Sequence, residues 1–327
     1  MESAAVDKSL RSRRDLGIAV VAAVILAAAA LRPVLQDLLD RPAVAHWATI
    51  FVAITIQATP FLVLGVTISA AIAAFVPSGA LPRLLPKNPA AAVPVAAVAG
   101  AALPGCECGS VPIASRLITR GAPVAAALTF LLAAPAINPV VLVATAVAFP
   151  NDPKMWVARL LASLVASIAV GLVWVKLGRE EWLGRARRGH VHEGTKAQVL
   201  VGTAQHDLLH AGGFLIVGAA TAATLQTVVP RSVLDSVGGT DVLSVLALGA
   251  LAVIMAICSE ADAFIAASLT QFSLTARLAF MVVGPMVDVK LIALQAGTFS
   301  SKFAARFAPV TFVAAIAAAA LIGWWLL

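Results

Sequence analysis

Tyrosine is absent from this chain, cysteine occurs three times, and only 12% of its 327 residues are charged. Each shortage excludes something. A soluble domain of this length must cover its core with polar surface, and a composition that is 61% hydrophobic cannot supply it. Three cysteines, two of them one residue apart at Cys106 and Cys108, cannot build a disulfide framework. No glycine-rich nucleotide-binding motif occurs, so ATP would have to act through another subunit. Strict alternation of apolar and polar residues is missing as well, which removes a transmembrane β-barrel. The formal charge of +7 does not indicate nucleic acid, because Lys and Arg fall in the loops, where membrane topology accounts for them.

What is there is a series of continuous apolar runs rich in alanine, which lets helices pack closely. The chain reads as an all-α polytopic membrane protein in the lipid bilayer. Spans are expected at about 16–35, 46–76, 121–150, 154–177, 206–229, 276–298 and 303–327. The start "KSLRSRR" ahead of the first run is basic, which places the N-terminus in the cytoplasm and the chain in the cytoplasmic membrane. With further membrane segments following, an uncleaved helix is expected there rather than a signal peptide.

Two apolar stretches are too short to cross. Residues 90–104 and a second arm to about Thr119 flank "LPGCECGSVPIAS", and 242–257 and 259–272 flank "CSEADAF". An arm of about 15 residues makes about 22 Å of helix, against a hydrocarbon core of about 30 Å. Each pair is either one long broken helix or a re-entrant hairpin. The loop 178–205, with Arg179, Arg185, Arg187, Arg188 and Lys196, should be cytoplasmic. So should Arg83 with Lys87, Arg116 with Arg120, and Lys302 with Arg306. All of these fall on one side with the N-terminus only if both cysteine segments are hairpins.

An internal repeat supports this reading. "FLVLGVTISAAIAAFVP" (61–77) aligns with "FLIVGAATAATLQTVVP" (214–230), Cys106 then matches Cys258, and "FLLAAPAIN" (130–138) matches "FMVVGPMVD" (280–288). The expected fold is an inverted repeat of helix, re-entrant hairpin, broken helix and helix, plus one extra N-terminal helix. It divides into 1–45 (N-terminus and extra helix), 46–177 (first repeat), 178–205 (basic cytoplasmic linker) and 206–327 (second repeat). That is a transporter's ground plan, with substrate bound where the two copies meet near the midplane.

The chemistry sits at those meeting points. Cys106, Glu107 and Cys108 should approach Cys258, Ser259, Glu260 and Asp262. Gly105 and Gly109 permit a tight turn, and Pro104 and Pro112 break the flanking helices. Thiols on a non-helical tip can converge, and thiolates select soft centres such as Zn²⁺, Cu(I) and trivalent arsenic-like species. Cys106, Cys108 and Cys258 are therefore candidate ligands for a soft metal or metalloid ion; packing as small hydrophobes is the plain alternative. No cofactor is otherwise implied. Pro135 with Asn138, and Pro285 with Asp288, mark breaks in the helices after the hairpins, whose freed ends can bind substrate. Glu260, Asp262, Asp288 and Lys290 fall in expected hydrocarbon, where a charge costs about 2.5–3.5 kcal/mol at a helix centre. Glu260, Asp288 and Lys290 are candidates for coupling transport to an ion gradient; a structural ion pair is the alternative. For Lys290 a depth within reach of cytoplasmic water is the alternative. His206 and His210, four residues apart, read as interfacial polar residues or a cytoplasmic-side metal entry, and His190 and His192 as solvated.

The segments "GCECGSVPIASRLITRGAPVAAALTFLLAAPAINP", "CSEADAFIAASL" and "GPMVDVKL" resemble the YraQ/ArsP-type predicted permeases over about residues 46–300. That group includes bacterial efflux permeases for trivalent organoarsenicals, and some members resemble one half of a two-component permease. The resemblance implies a core motif at Cys106, Cys108, Gly109, Pro112, Pro135, Asn138 and Pro139. It implies a second block at Cys258, Glu260, Asp262, Pro285 and Asp288. Gln57 stands where many relatives would carry an acidic residue. The reading is thus a secondary transporter, not an enzyme, exporting a small inorganic or organometalloid substrate, alone, as a homo-oligomer or with a second membrane subunit. A membrane thiol–disulfide oxidoreductase and a non-transporting subunit remain the alternatives.

Overall fold

A computed structural model describes residues 41–77, 80–86, 88–102, 105–184, 195–228 and 241–327. The expected extra helix at 16–35 lies outside these residues, as do Lys87, Pro104, Arg185, Arg187, Arg188, His190 and His192. The chain divides into two units, Met1–Thr49 and Ile50–Leu327, and the described part of the first holds only the opening turns of helix α1.

Twelve α-helices longer than one turn are described, with no strand among the described residues. The first group is α1 (Pro42–Phe75), α2 (Pro89–Ala99), α3 (Glu107–Thr119), α4 (Val124–Ile137), α5 (Pro139–Ala148) and α6 (Met155–Leu177). The second is α7 (Lys196–Val228), α8 (Asp241–Met255), α9 (Asp262–Ser268), α10 (Leu274–Met286), α11 (Val289–Thr298) and α12 (Ser301–Leu326). Each group reads helix, hairpin, broken helix, helix. Six elements among the described residues are long and apolar enough to cross a membrane: α1, α4 with α5, α6, α7, α10 with α11, and α12. Their outward residues, such as Val143, Val313 and Leu321, are apolar, as a lipid environment requires. The protein is a multi-pass membrane protein.

Contacts at one end of the bundle settle the course of the chain. Arg120, just past α3, donates to the Ala73 carbonyl near the end of α1. Residues before and after the first hairpin therefore lie at the same end. Lys196 at the start of α7 sits over the Phe75 ring, 5.8 Å from its centroid. Trp182, in the linker after α6, accepts from Ser300 Oγ at 2.5 Å, and its ring lies 4.4 Å beneath Arg306. Thus α1 ends where α7 begins, and α12 begins there too. Each group makes three crossings, an odd number, so the second copy enters the bilayer inverted relative to the first. The residues gathered at this end are the basic ones that the positive-inside rule assigns to one side.

One boundary differs from expectation. Helix α7 starts at Lys196 rather than near 206, because Thr195 and Gln198 form a capping box: Gln198 Oε1 accepts from Thr195 N at 2.9 Å, and Thr195 Oγ1 accepts from Gln198 N at 3.4 Å. The breaks in the long helices fall after Pro135 and Pro285, which both lie inside helices. In the first copy the extended residue is Asn138, held out of the helix by Pro139. In the second it is Val287 followed by Asp288.

The repeat-equivalent glycines Gly65 and Gly218 allow close approaches of helix backbones. A Cβ on Gly65 would overlap the backbone of Gly109, and one on Gly218 would overlap Lys290 Cα. The inverted course predicts that, in a cysteine-free background, single cysteines at Thr195 and Leu327 label from opposite sides of sealed vesicles. Labelling from the same side would mean that α8 and α9 together make a single crossing of the bilayer.

Candidate functional site

The site begins with a helix that starts late. Residues 105–106 are non-helical, Cys106 is extended (φ −83°, ψ 174°), and α3 opens at Glu107. Cys106 thus stands just outside the first turn and Cys108 inside it, so the two thiols are freed from the opposed directions of a regular helix. One ligand atom each from Cys106, Glu107 and Cys108 lies within 4.8 Å of the others, and all three residues are buried. Cys258 comes from the second hairpin, is buried, and lies close enough to Cys106 for the two thiols to interact. The two hairpin tips therefore meet, as the repeat requires.

Both breaks join them, by parallel means. Asn138 Oδ1 caps α5 by accepting from Val141 N at 3.0 Å, and its amide donates to Gly105 O at 3.2 Å in the first hairpin tip. Asp288 Oδ1 caps α11 by accepting from Leu291 N at 2.6 Å. The donor to the second tip is Lys290, whose Nζ reaches Ala256 O at 2.7 Å. Ala256 has a positive φ of 47°, an uncommon conformation for a residue with a Cβ.

Lys290 also joins the two copies. Its Nζ lies 2.6 Å from Glu107 Oε1 and 3.1 Å from Asp288 Oδ2, and all three side chains are fully buried. Of its two expected placements Lys290 takes the buried one: its neighbours are two carboxylates and a tip carbonyl. Its pairing with Asp288 two residues away is possible because α11 starts only at Val289. Glu107 Oε2 has no hydrogen-bond partner among the described residues. Glu260 is half-buried, and its Oε2 is likewise buried and unpartnered among them.

Asp262 has another partner. Arg159 of α6, wholly buried, grips it with Nη1 to Oδ1 at 2.8 Å and Nη2 to Oδ2 at 2.7 Å. The same guanidinium donates to Thr145 Oγ1 at 2.9 Å and Ser259 O at 3.3 Å. Arg159 is the residue that the sequence reading passes over. Its signal was a guanidinium in the first half of an apolar span, which needs a buried partner.

The remaining candidates are placed as follows. Gly109 lies against Phe61 O and Gly65 rather than presenting a ligand. Pro135 is buried within α4, and Gln57 is exposed on α1. His206 and His210 stack at 6.0 Å, with His210 Nε2 3.2 Å from Gly297 O, so they belong to the packing of α7 on α11. A small, half-open cleft beside Cys106 is lined by Phe61, Leu64, Ile68, Ile113 and Phe130. It gives the first tip an apolar flank.

Comparison with known proteins adds a family. A family model described as a predicted permease matches residues 43–324. The Bacillus subtilis protein YcgR is 38% identical over 275 residues, covering 82% of this chain and 93% of its own. A Streptococcus mutans protein, named as a predicted two-component membrane permease complex subunit, is 34% identical over 266 residues, covering 79% and 88%. No solved structure matches.

The Arg159–Asp262 pair yields a stability test. Arg159→Met should lower stability by about 3–5 kcal/mol, because it strands a buried carboxylate. Adding Asp262→Asn should recover much of that loss. Thermal unfolding of the detergent-solubilised chain measures both; equal losses would show that packing of the arginine stem, not charge, is what matters there.

Proposed function

Because the chain belongs to the family of predicted permeases, we propose that it is a secondary transporter exporting a thiophilic metal or metalloid species. The observation that carries this reading is the compact buried group of two thiols and a carboxylate on the first hairpin tip, with the buried Cys258 of the second tip beside Cys106. Soft sulfur ligands bind soft centres, and a ligand set contributed by both copies of an inverted repeat can be exposed to either side as those copies rock. Cys106, Cys108 and Glu107 form the first half of the binding set, and Cys258 closes it from the other tip. Asn138 holds the first tip in place through Gly105. Coupling is assigned to Asp288 with Lys290, and to Glu260 beside Cys258. Asp262 positions the second tip through Arg159. The chain sits in the cytoplasmic membrane with its basic end in the cytoplasm.

The Streptococcus relative's name favours one second reading, in which this chain is a subunit that needs another membrane protein. Flux in proteoliposomes distinguishes the two. The chain alone should carry a thiophilic ion such as Cd²⁺ or a trivalent arsenical, and Cys106→Ser with Cys108→Ser should abolish the flux without loss of folded protein. Undiminished flux in that double variant would return the cysteines to packing. Flux that appears only with a second membrane protein present would support the subunit reading.

A further inference from the structure

The Lys290 ammonium has an arrangement that a structural ion pair does not require. It contacts three chain segments at once: Glu107 in the first hairpin, Asp288 at the break and Ala256 O in the second hairpin tip. Two buried carboxylates face one buried ammonium, so the group carries one negative charge in excess when all are ionised. That excess is not spread evenly. Asp288 has its Oδ1 engaged by Leu291 N and its Oδ2 by Lys290, whereas Glu107 Oε2 has no hydrogen-bond partner among the described residues. Glu107 is also the carboxylate that belongs to the compact group with Cys106 and Cys108. The Glu107 carboxylate and the two thiols thus serve one small volume, and its electrical deficit is of positive charge.

We propose that Lys290 is a tethered resident cation of this site, and that cargo binds as a cation which takes its place on Glu107. The inference rests on the transport reading of the thiol site and adds the charge of the cargo and the residue that competes with it. The geometry supports exchange. A lysine ammonium is a point charge on a flexible stem, and it keeps Asp288 and Ala256 O as oxygen partners when it leaves Glu107. Its root is fixed, because a Cβ on Gly218 would overlap Lys290 Cα, so movement belongs to the side chain. The first copy has no counterpart: two residues beyond Asn138 stands Val140, half exposed on the outer surface. One chain therefore carries one such cation at this site. A cation arriving at Glu107 restores the charge that the ammonium removes, and a departing one is replaced at once, so the empty site never strands a bare carboxylate. A neutral or anionic cargo would gain nothing from the exchange.

Cadmium binding to the purified full chain in detergent tests this, read by thiolate-to-cadmium charge-transfer absorption. Lys290→Met should bind Cd²⁺ at least about tenfold more tightly than the unmodified chain, because the competitor is gone. Lys290→Arg, which keeps the charge, should bind no more tightly than the unmodified chain. Lys290→Met with Asp288→Asn keeps the net charge of the group and serves if the single variant does not fold; it too should bind more tightly. Unchanged or weaker affinity in the methionine variants overturns the proposal while leaving the thiol site standing. No charge-transfer band in the unmodified chain, or a band that survives Cys106→Ser with Cys108→Ser, overturns the thiol reading itself.

Discussion

An ammonium group far from water must find oxygen on several sides, or its burial costs more than a helix can offset. Lys290 finds three oxygens, and they lie in three different segments of the chain. Much of the architecture follows from that demand. In a continuous helix residues two apart point away from each other, so Asp288 can reach Lys290 only if the helix is interrupted before 289. Ala256 must turn its carbonyl inward, which it does from a left-handed conformation that the bond to Lys290 helps to hold. Glu107 must arrive from the other copy, which requires the first hairpin to end at the same depth. Helix α7 must pass directly behind Lys290, which only a glycine at 218 permits.

The equivalence of the two copies is one of position more than of chemistry. Asn138 and Asp288 both cap the helix that follows their break, and each break sends a donor to its own hairpin tip. In the first copy that donor is a neutral amide, and in the second it is a charged ammonium. Neutral on one side and ionic on the other, the centre has the fold's symmetry without its electrostatics.

How much of this could be read beforehand depended on whether the signal was local. The hairpins were legible because glycine, proline and cysteine interrupt arms too short to cross, and the repeat because Phe61–Gly65 and Phe214–Gly218 share letters and spacing. The inversion followed from loop charges. The start of α7 was written in Thr195 and Gln198, but lay hidden in a stretch whose polar composition resembles a loop. The breaks were legible from the pairs Pro135 with Asn138 and Pro285 with Asp288, and the backbone leaves the helix at the second member of the first pair, set by Pro139. Arg159 and Asp262 stand 103 residues apart, and nothing near either one names the other. The burial of Lys290 was equally non-local, since Glu107 belongs to the opposite copy.

The two hairpins are held by different kinds of bond, and this decides which one depends on the central lysine. The second is fixed from the side by Arg159, which grips both oxygens of Asp262 and the carbonyl of Ser259 in a site without exposure. Four residues beyond Cys106, where the first hairpin would need the equivalent of Asp262, it has Ser110, whose hydroxyl returns to the Glu107 carbonyl of its own turn. The first hairpin is tied instead at its ends. Its tip is held by Lys290 and Asn138, and its far end by Arg116 to Asp207 at 2.9 Å and by Arg120 to Ala73. The Arg116–Asp207 pair is partly exposed, so water and salt weaken it in a way that cannot reach Arg159. Between those ends the first hairpin meets α1 most closely through the two glycines 65 and 109, with Ile113 packed beside Ile68 and Ile72. Loss of the Glu107–Lys290 contact therefore removes the main ionic tie of the first hairpin's tip, while the second hairpin keeps its own.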